Sequence, residues 1–450
     1  MKQKNSAIYL TKFLCFVVII ALPILYFGLA QYKFNGSYSL FDEITHVSYA
    51  WSISHGELPA RGDSDPAVIL NDWSCSGQEN VPLPACDSGA VPEDYPNQGQ
   101  QYNYFHPPVY YAITGIVARV CNAVVPVLTF SQYARLLSIV WMVLGNVALF
   151  FALKQWKVDI AYRLSVIAMV PFIPVLLNSG TAVTNDAPAL LCGAAVLWVA
   201  AKFFVDRQSF YLPAIAVIML CGSIKGTMVF PFLAMAAILV LLGIATYWKK
   251  DRNQGRQFFI QGWITGLTAL FSVAVFTVIQ NMRGDSSVQS AVSGQNTDPP
   301  AGSPIGEFAK TVMSWLNLAD GGDNLRQGME NGPGYSIWLA MLLIIIGAAA
   351  VMLYMQNDGD NSHTYLWILT LFGLFLYPML VQVRQYLNSG ELFYDVSGRY
   401  GIAFLPLVLC CWALALQNRK DRVLTVAIPV VAVILSFVCM LSIPRFVLVG

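Results

Sequence analysis

Two short stretches hold the residue types that acid–base chemistry needs: FDEITH at 41–46 and YFHPP at 104–108. They open and close a polar segment from Lys33 to Pro108, lying between the first apolar stretch and the next hydrophobic block. That segment holds three of the four histidines and ten carboxylates, with only Lys33 and Arg61 as cations. Asp42 is the leading candidate for a reacting carboxylate; Glu43 stands beside it and His46 follows one helical turn later. A carboxylate within hydrogen-bond reach of a hydroxyl can act as its general base. The same residues have a purely structural reading, since Ser39-x-x-Asp42 fits a capping box opening a helix over Ser39–His55. On that amphipathic helix Ile44, Val47 and Trp51 share one face, and Asp42, His46 and Tyr49 line another.

The elements that must hold these residues are membrane helices. The chain of 450 residues is 56% hydrophobic and 11% charged, against roughly a quarter charged in soluble domains. Apolar runs of the length that crosses about 30 Å of hydrocarbon recur throughout. The first runs from Phe13 to Ala30 behind Lys2, Lys4 and Lys12; it is longer than a usual signal peptide's apolar region and reads as an uncleaved span. Further spans are expected at 135–153, 160–178, 186–204, 210–224, 227–247, 258–280, 336–355, 364–383, 401–416 and 423–442, about eleven in all. The fold class is therefore all-α, a single integral membrane domain over 1–450 with about eleven transmembrane helices. Residues 109–128 are apolar but interrupted by Arg119, Asn122 and Pro126, and are expected to lie along the interface without crossing. With that choice the basic clusters Lys154/Lys157, Lys202/Arg207, Lys249/Lys250/Arg252/Arg256 and Arg419/Lys420/Arg422 all fall in short loops on one side. Such loops belong in the cytoplasm, so the N-terminus is cytoplasmic and the first loop, 32–108, extracytoplasmic. A net charge of +1 without a basic stripe excludes a nucleic-acid partner.

Three more external segments follow: the turn NSGTAVTND at 178–186, a loop over 281–335, and RQYLNSGELFYDVSGRY at 384–400. In the 281–335 loop Ile305, Phe308, Val312, Trp315 and Leu316 recur at helical spacing, which predicts a short interfacial helix. Most of the nine cysteines sit in apolar runs as small hydrophobes. Cys75 and Cys86 stand apart in the first loop, and outside the cytoplasm they are expected to pair. Asp186 opens a span with Pro188 at its first turn, a position a helix dipole favours for a carboxylate.

An external loop that opens on DE-x-x-H and closes on HPP-x-YY resembles the GT-C superfamily of membrane glycosyltransferases. The order continues with Arg135 in ARLLS, Asn185-Asp186, Lys225 in SIKG and Arg399-Tyr400 in GRYGIAFLP, covering most spans through about residue 416. The resemblance implies juxtamembrane helices in the first loop and a polyprenyl-phosphate-linked sugar donor. It also implies a glycan or lipid-linked acceptor, inversion at the sugar, and a site facing the cell envelope from a bacterial inner or plasma membrane. Carried over residue by residue, Asp42, with Glu43 beside it, becomes the catalytic acid–base group. Arg399, Tyr400, Lys225 and His106 become contacts for the donor phosphate, since an arginine fork binds phosphate bidentately. His46, Asp186 and Arg135 are further substrate contacts. Asp42, Glu43, His46 and His106 together are a donor set suited to Mn²⁺ or Mg²⁺. Each cation has a structural alternative: Arg399 as an interfacial anchor beside Tyr400, Lys225 as the mark of a tight turn. Two rival functions remain at this level. An O-antigen-type polymerase or ligase would lean on late-loop arginines and a histidine, and the late loops offer Arg384 and Arg399 but no histidine. A lipid-linked-substrate transporter or flippase would place ionisable groups at mid-span, where this chain has few.

Overall fold

In a computed structural model, the structure describes residues 2–39, 42–248, 251–285, 287–288, 297–300, 302–315, 349, 361–393 and 396–445. It is helical nearly throughout. Among the described residues, seven helices are long and apolar enough to cross a membrane, which makes this an integral membrane protein. The first span, Tyr9–Phe34, joins α1 (Lys2–Phe16) to α2 (Leu22–Phe34) through one π-helical turn. The others are α6 (Phe130–Gln155), α11 (Phe230–Trp248) with the turn before it, α12 (Arg252–Arg283), most of α14 (Asn361–Ser389), Gly398–Arg419, which contains α15 (Leu405–Arg419), and α16 (Arg422–Ser442).

The eleven expected spans are not all of this kind. Residues 160–178 form a broken element, Ile160–Phe172 and Val175–Thr181, bent by 74°. Pro171 and Pro174 flank the bend, where missing N–H groups and ring clashes end a helix. Its parts are α7 (Ile160–Met169) and α8 (Val175–Thr181). Helices α9 (Ala189–Phe204) and α10 (Tyr211–Ile224) form where expected but have 16 and 14 residues, short of the about 20 that span a bilayer. The expected span at 336–355 lies outside the described residues, Ala349 apart.

The first loop folds as α3 (Glu43–Ser54), α4 (Ala67–Ser76) and short 3-10 turns, and Cys75 and Cys86 are joined in a disulfide with Cα atoms 4.6 Å apart. Helix α5 (Val109–Val124) then leads towards the membrane bundle. It turns Tyr110, Tyr111, Thr114, Gly115 and Ala118 inward and leaves Ile113, Ile116, Val120 and Val124 exposed. Glycine at 115 is required: a Cβ there would fall 2.0 Å from the Ala50 carbonyl oxygen of α3. This close approach changes the expected character of α3. It is no half-exposed amphipathic helix, because α5 and the Gln101–Asn103 turn cover its polar face, and every residue from Glu43 to Ala50 is buried.

The segment 178–186 also differs from an external turn. Residues 178–186 are buried throughout, held beneath the first loop by Ser39 Oγ donating to Asn178 Oδ1 at 3.0 Å. The interfacial helix predicted from Ile305 and Phe308 is α13 (Pro304–Trp315), packed on α14; Leu316 lies outside the described residues. An antiparallel pair, Thr297–Asp298 with Leu392–Phe393, ties the stretch before α13 to the segment after α14.

Candidate active site

The acidic pair divides at the start of α3. Asp42 precedes the helix with φ +60° and makes no side-chain cap bond, so the capping role open from sequence is not the one its carboxylate plays. Its Oδ1 instead accepts from the Tyr102 hydroxyl at 2.9 Å, and its Oδ2 lies 3.3 Å from Arg399 Nη2. Glu43, about 100° further round the helix, points the other way. Its Oε1 accepts from Arg135 Nε at 2.7 Å and the Val183 amide at 2.8 Å. Its Oε2 accepts from Arg135 Nη2 at 3.2 Å and the Ser39 amide at 2.8 Å. With four donors and 1% exposure, Glu43 is a fully committed structural anion, and Arg135 is its counter-ion.

Asp42 lines a cavity of about 470 Å³ together with His46, His106, Asp186, Lys225, Arg399 and Tyr400. Residues 357 positions apart in the chain thus meet at one place. Lys225 follows α10 in extended conformation and is buried; its Nζ lies 2.6 Å from Asp186 Oδ1. Asp186 is therefore an ion-pair partner, while Pro188 stands at the N-cap of α9. The Tyr400 ring is shared: Lys225 Nζ lies 5.1 Å and Arg399 Cζ 5.2 Å from its centroid. Cations over an aromatic face at such distances are attracted by its quadrupole. Arg384 also lines the cavity and meets no carboxylate among the described residues. Two carboxylates and three cations leave the cavity with a net positive charge. Phe105, Phe230, Leu380, Val381 and Phe393 supply an apolar wall.

The two histidines are neutral here. Burial, then the nearby Lys225, pushes His46 down to about 3, and the same causes hold His106 well below the ordinary imidazole range. His106 thus offers a hydrogen-bonding ring to the cavity, not the cation expected against a phosphate. The His46 and His106 rings stack with centroids 6.0 Å apart. His46 Nδ1 lies 2.7 Å from the Tyr111 hydroxyl, which also accepts from Asn185 Nδ2 at 3.1 Å. The Tyr49 hydroxyl donates to the His106 carbonyl at 2.9 Å, and its ring stacks on Tyr111 at 3.9 Å.

The four-residue metal set does not assemble. Glu43 is turned away and saturated, and among the described residues only Cys75, Cys86 and Asp87 bring three such ligand atoms within 4.8 Å of one another. Two of those are the disulfide sulfurs.

Several contributors carry no sequence motif of their own. Tyr102, the partner of Asp42, has its hydroxyl held protonated by burial and by that carboxylate. Behind it, Gln101 Nε2 donates to the Thr45 carbonyl at 2.8 Å, Ser48 Oγ at 2.8 Å and Asp65 Oδ1 at 3.1 Å. Asn103 Nδ2 donates to Thr45 Oγ1 at 2.6 Å, and that hydroxyl donates to the Asp42 carbonyl at 2.9 Å. This network fixes the backbone at Asp42. The signal for it was the polar composition of QYN at 101–103, directly before the YFHPP stretch. No protein-family model matches the chain, and no curated protein matches its sequence.

Proposed function

We propose that this protein is a membrane glycosyltransferase that moves a sugar from a polyprenyl-phosphate-linked donor to a glycan or lipid-linked acceptor, inverting the anomeric centre, with Asp42 as general base. The observation that carries the reading is the Asp42–Arg399 contact at 3.3 Å, inside a cavity whose balance of charge favours an anion. An Asp42 oxygen takes the proton of the acceptor hydroxyl as that oxygen attacks the anomeric carbon. The bond from that carbon to the phosphate oxygen breaks, and its electron pair leaves on the lipid phosphate. Arg399, Arg384 and Lys225 are placed to neutralise that charge, Arg399 by a bidentate fork. Holding both substrates in one cavity supplies proximity and orientation, and the apolar wall suits the first units of a lipid chain. The basic clusters at 154–157 and 419–422 lie at the opposite helix ends from Arg135 and Arg399, which supports an extracytoplasmic cavity.

Among the described residues, the bent α7–α8 pair is a feature that favours a transporter, since broken helices line many transport sites. Its bend, however, is filled by the Tyr26 and Phe172 rings with centroids 4.7 Å apart, apolar packing that a substrate path would lack. The test is turnover in liposomes: the purified protein is offered a panel of polyprenyl-phosphate-linked sugars together with glycan and lipid-linked acceptors, and release of polyprenyl phosphate and glycosylation of the acceptor are followed. Wild-type protein should consume at least one donor, and Asp42→Asn should do so at least about 10²-fold more slowly. Folded wild-type protein inert to every donor would refute the reading.

A further inference from the structure

A second cavity of about 390 Å³ opens on the other side of the first turn of α3, with Ser39 and Glu43 in its wall. The acidic pair therefore stands in the partition between two cavities, Asp42 facing one and Glu43 the other. The second is a cleft between the end of α2 and the start of α6, lined by Gly28, Gln31, Gln132, Arg135 and Leu136 and bordered by Arg445. Both helices belong to candidate spans, one ending where the other begins, so the cleft sits where these spans reach one membrane surface. It runs along α2 from Asn35 to Gly28, about 10 Å of helix towards the hydrocarbon. Tyr32 and Leu136 at its rim are 58% and 42% exposed, as side chains facing lipid are.

Charge and shape specify an occupant. Arg135 and Glu43 cancel at the floor. Arg445 remains, hydrogen-bonded to the neutral Asn35 and lying 4.5 Å from the Tyr32 ring centroid. Lys33, outside the lining itself, donates from Nζ to the carbonyl of Ile443, two residues before Arg445, at 2.6 Å. Neither cation meets a carboxylate among the described residues. Gly28 adds an independent observation. A Cβ there would meet nothing within 4 Å, whereas at Gly145 and Gly180 it would strike neighbours at 2.9 and 2.6 Å. Mid-helix glycine costs about 0.5–1 kcal/mol against alanine, and among the described residues no neighbour requires it at 28. An open slot behind a cationic rim is what a phosphate-headed lipid needs.

We propose that this cleft binds an anionic phospholipid of the surrounding bilayer, with its phosphate on Arg445 and the start of one chain passing Gly28. The proposal rests on the membrane reading alone and not on glycosyl transfer. The test is native mass spectrometry of the full-length protein released from nanodiscs of phosphatidylglycerol and phosphatidylcholine, with and without added polyprenyl phosphate. Wild-type protein should retain phosphatidylglycerol over phosphatidylcholine. Arg445→Gln, which removes the cation lining the cleft, and Gly28→Leu, whose Cβ meets no neighbour within 4 Å among the described residues and whose side chain occupies the slot, should each cut that retention at least five-fold. Arg399→Gln, in the other cavity, should leave it unchanged. Retention unaltered by both R445Q and G28L, or retention by this cleft of polyprenyl phosphate in place of phosphatidylglycerol, would overturn the assignment. Loss of phosphatidylglycerol in R399Q would overturn it as well.

Discussion

Asp42 and Glu43 are adjacent in sequence and alike in chemistry, so exchanging each for its amide separates catalysis from folding. Asp42→Asn keeps a side chain that tolerates φ +60° and an oxygen to accept from Tyr102. What it loses is a contact of 3.3 Å to Arg399 between side chains 17% and 34% exposed. Ion pairs with that access to solvent contribute at most about 1 kcal/mol. Loss of a general base, by contrast, costs about 10²–10⁴ in rate, or about 3–5 kcal/mol of barrier. Glu43→Gln should do the reverse. It leaves Arg135, 6% exposed, without its counter-ion, and breaking a buried pair costs about 3–5 kcal/mol of stability. The assay pairs donor consumption per folded molecule in liposomes with a thermal melt of the same preparation. D42N should melt near wild type and turn over at least 10²-fold more slowly; E43Q should melt far lower, with the surviving folded fraction retaining activity. D42N turnover within ten-fold of wild type, or E43Q as stable as wild type, would refute the division of roles.

Arg399→Lys keeps the charge but not the fork, and should lower kcat/KM for the lipid-linked donor by about ten- to hundred-fold, measured over a range of donor concentrations. Asp65 gives a pH signature. Burial pushes its carboxyl up to about 7, against about 3.9 in an unfolded chain. Between those values the folded state holds the extra proton, so stability falls as pH rises from about 4 to 7 and is level above. Asp65→Asn should remove that slope and gain up to about 4 kcal/mol at pH 8; parallel melting curves for both proteins from pH 4 to 8 would contradict it. His46 acts with the opposite sign. Its folded value near 3 lies below the unfolded one of about 6.5, so its contribution is complete above pH 6.5 and is lost as pH drops towards 3. His46→Gln should lessen acid unfolding in that window, read by the same melts. Cys75→Ser with Cys86→Ser should cost about 2–3 kcal/mol by freeing an 11-residue separation, seen as a lower melting temperature without reductant.

Much of the architecture was legible because hydrocarbon imposes a length and an apolarity that composition alone reports. The long spans and the helix at Pro304–Trp315 lie where local pattern placed them, whereas that Asp42, His46, His106, Asp186, Lys225, Arg399 and Tyr400 line one cavity is seen only in the structure. Local pattern failed where distant groups compete for a side chain. The 160–178 run reads as a plain span, yet Pro171 and Pro174 break it and carry 178–186 into the interior, where Val183 and Asp186 find Glu43 and Lys225. The helix of Asp42, His46 and Tyr49 reads as amphipathic, yet α5 packs over its polar face because Gly115 admits the Ala50 carbonyl.

By itself the sequence determined that this chain lives in a membrane, and that its acidic and cationic residues cluster in the segments between spans, since hydrophobicity and charge act residue by residue. Only the tertiary structure decided which of two neighbouring carboxylates faces the cavity. Successive helical side chains diverge by about 100°, and the one that Arg135 and Val183 can reach is withdrawn from chemistry by the ion pair they build around it.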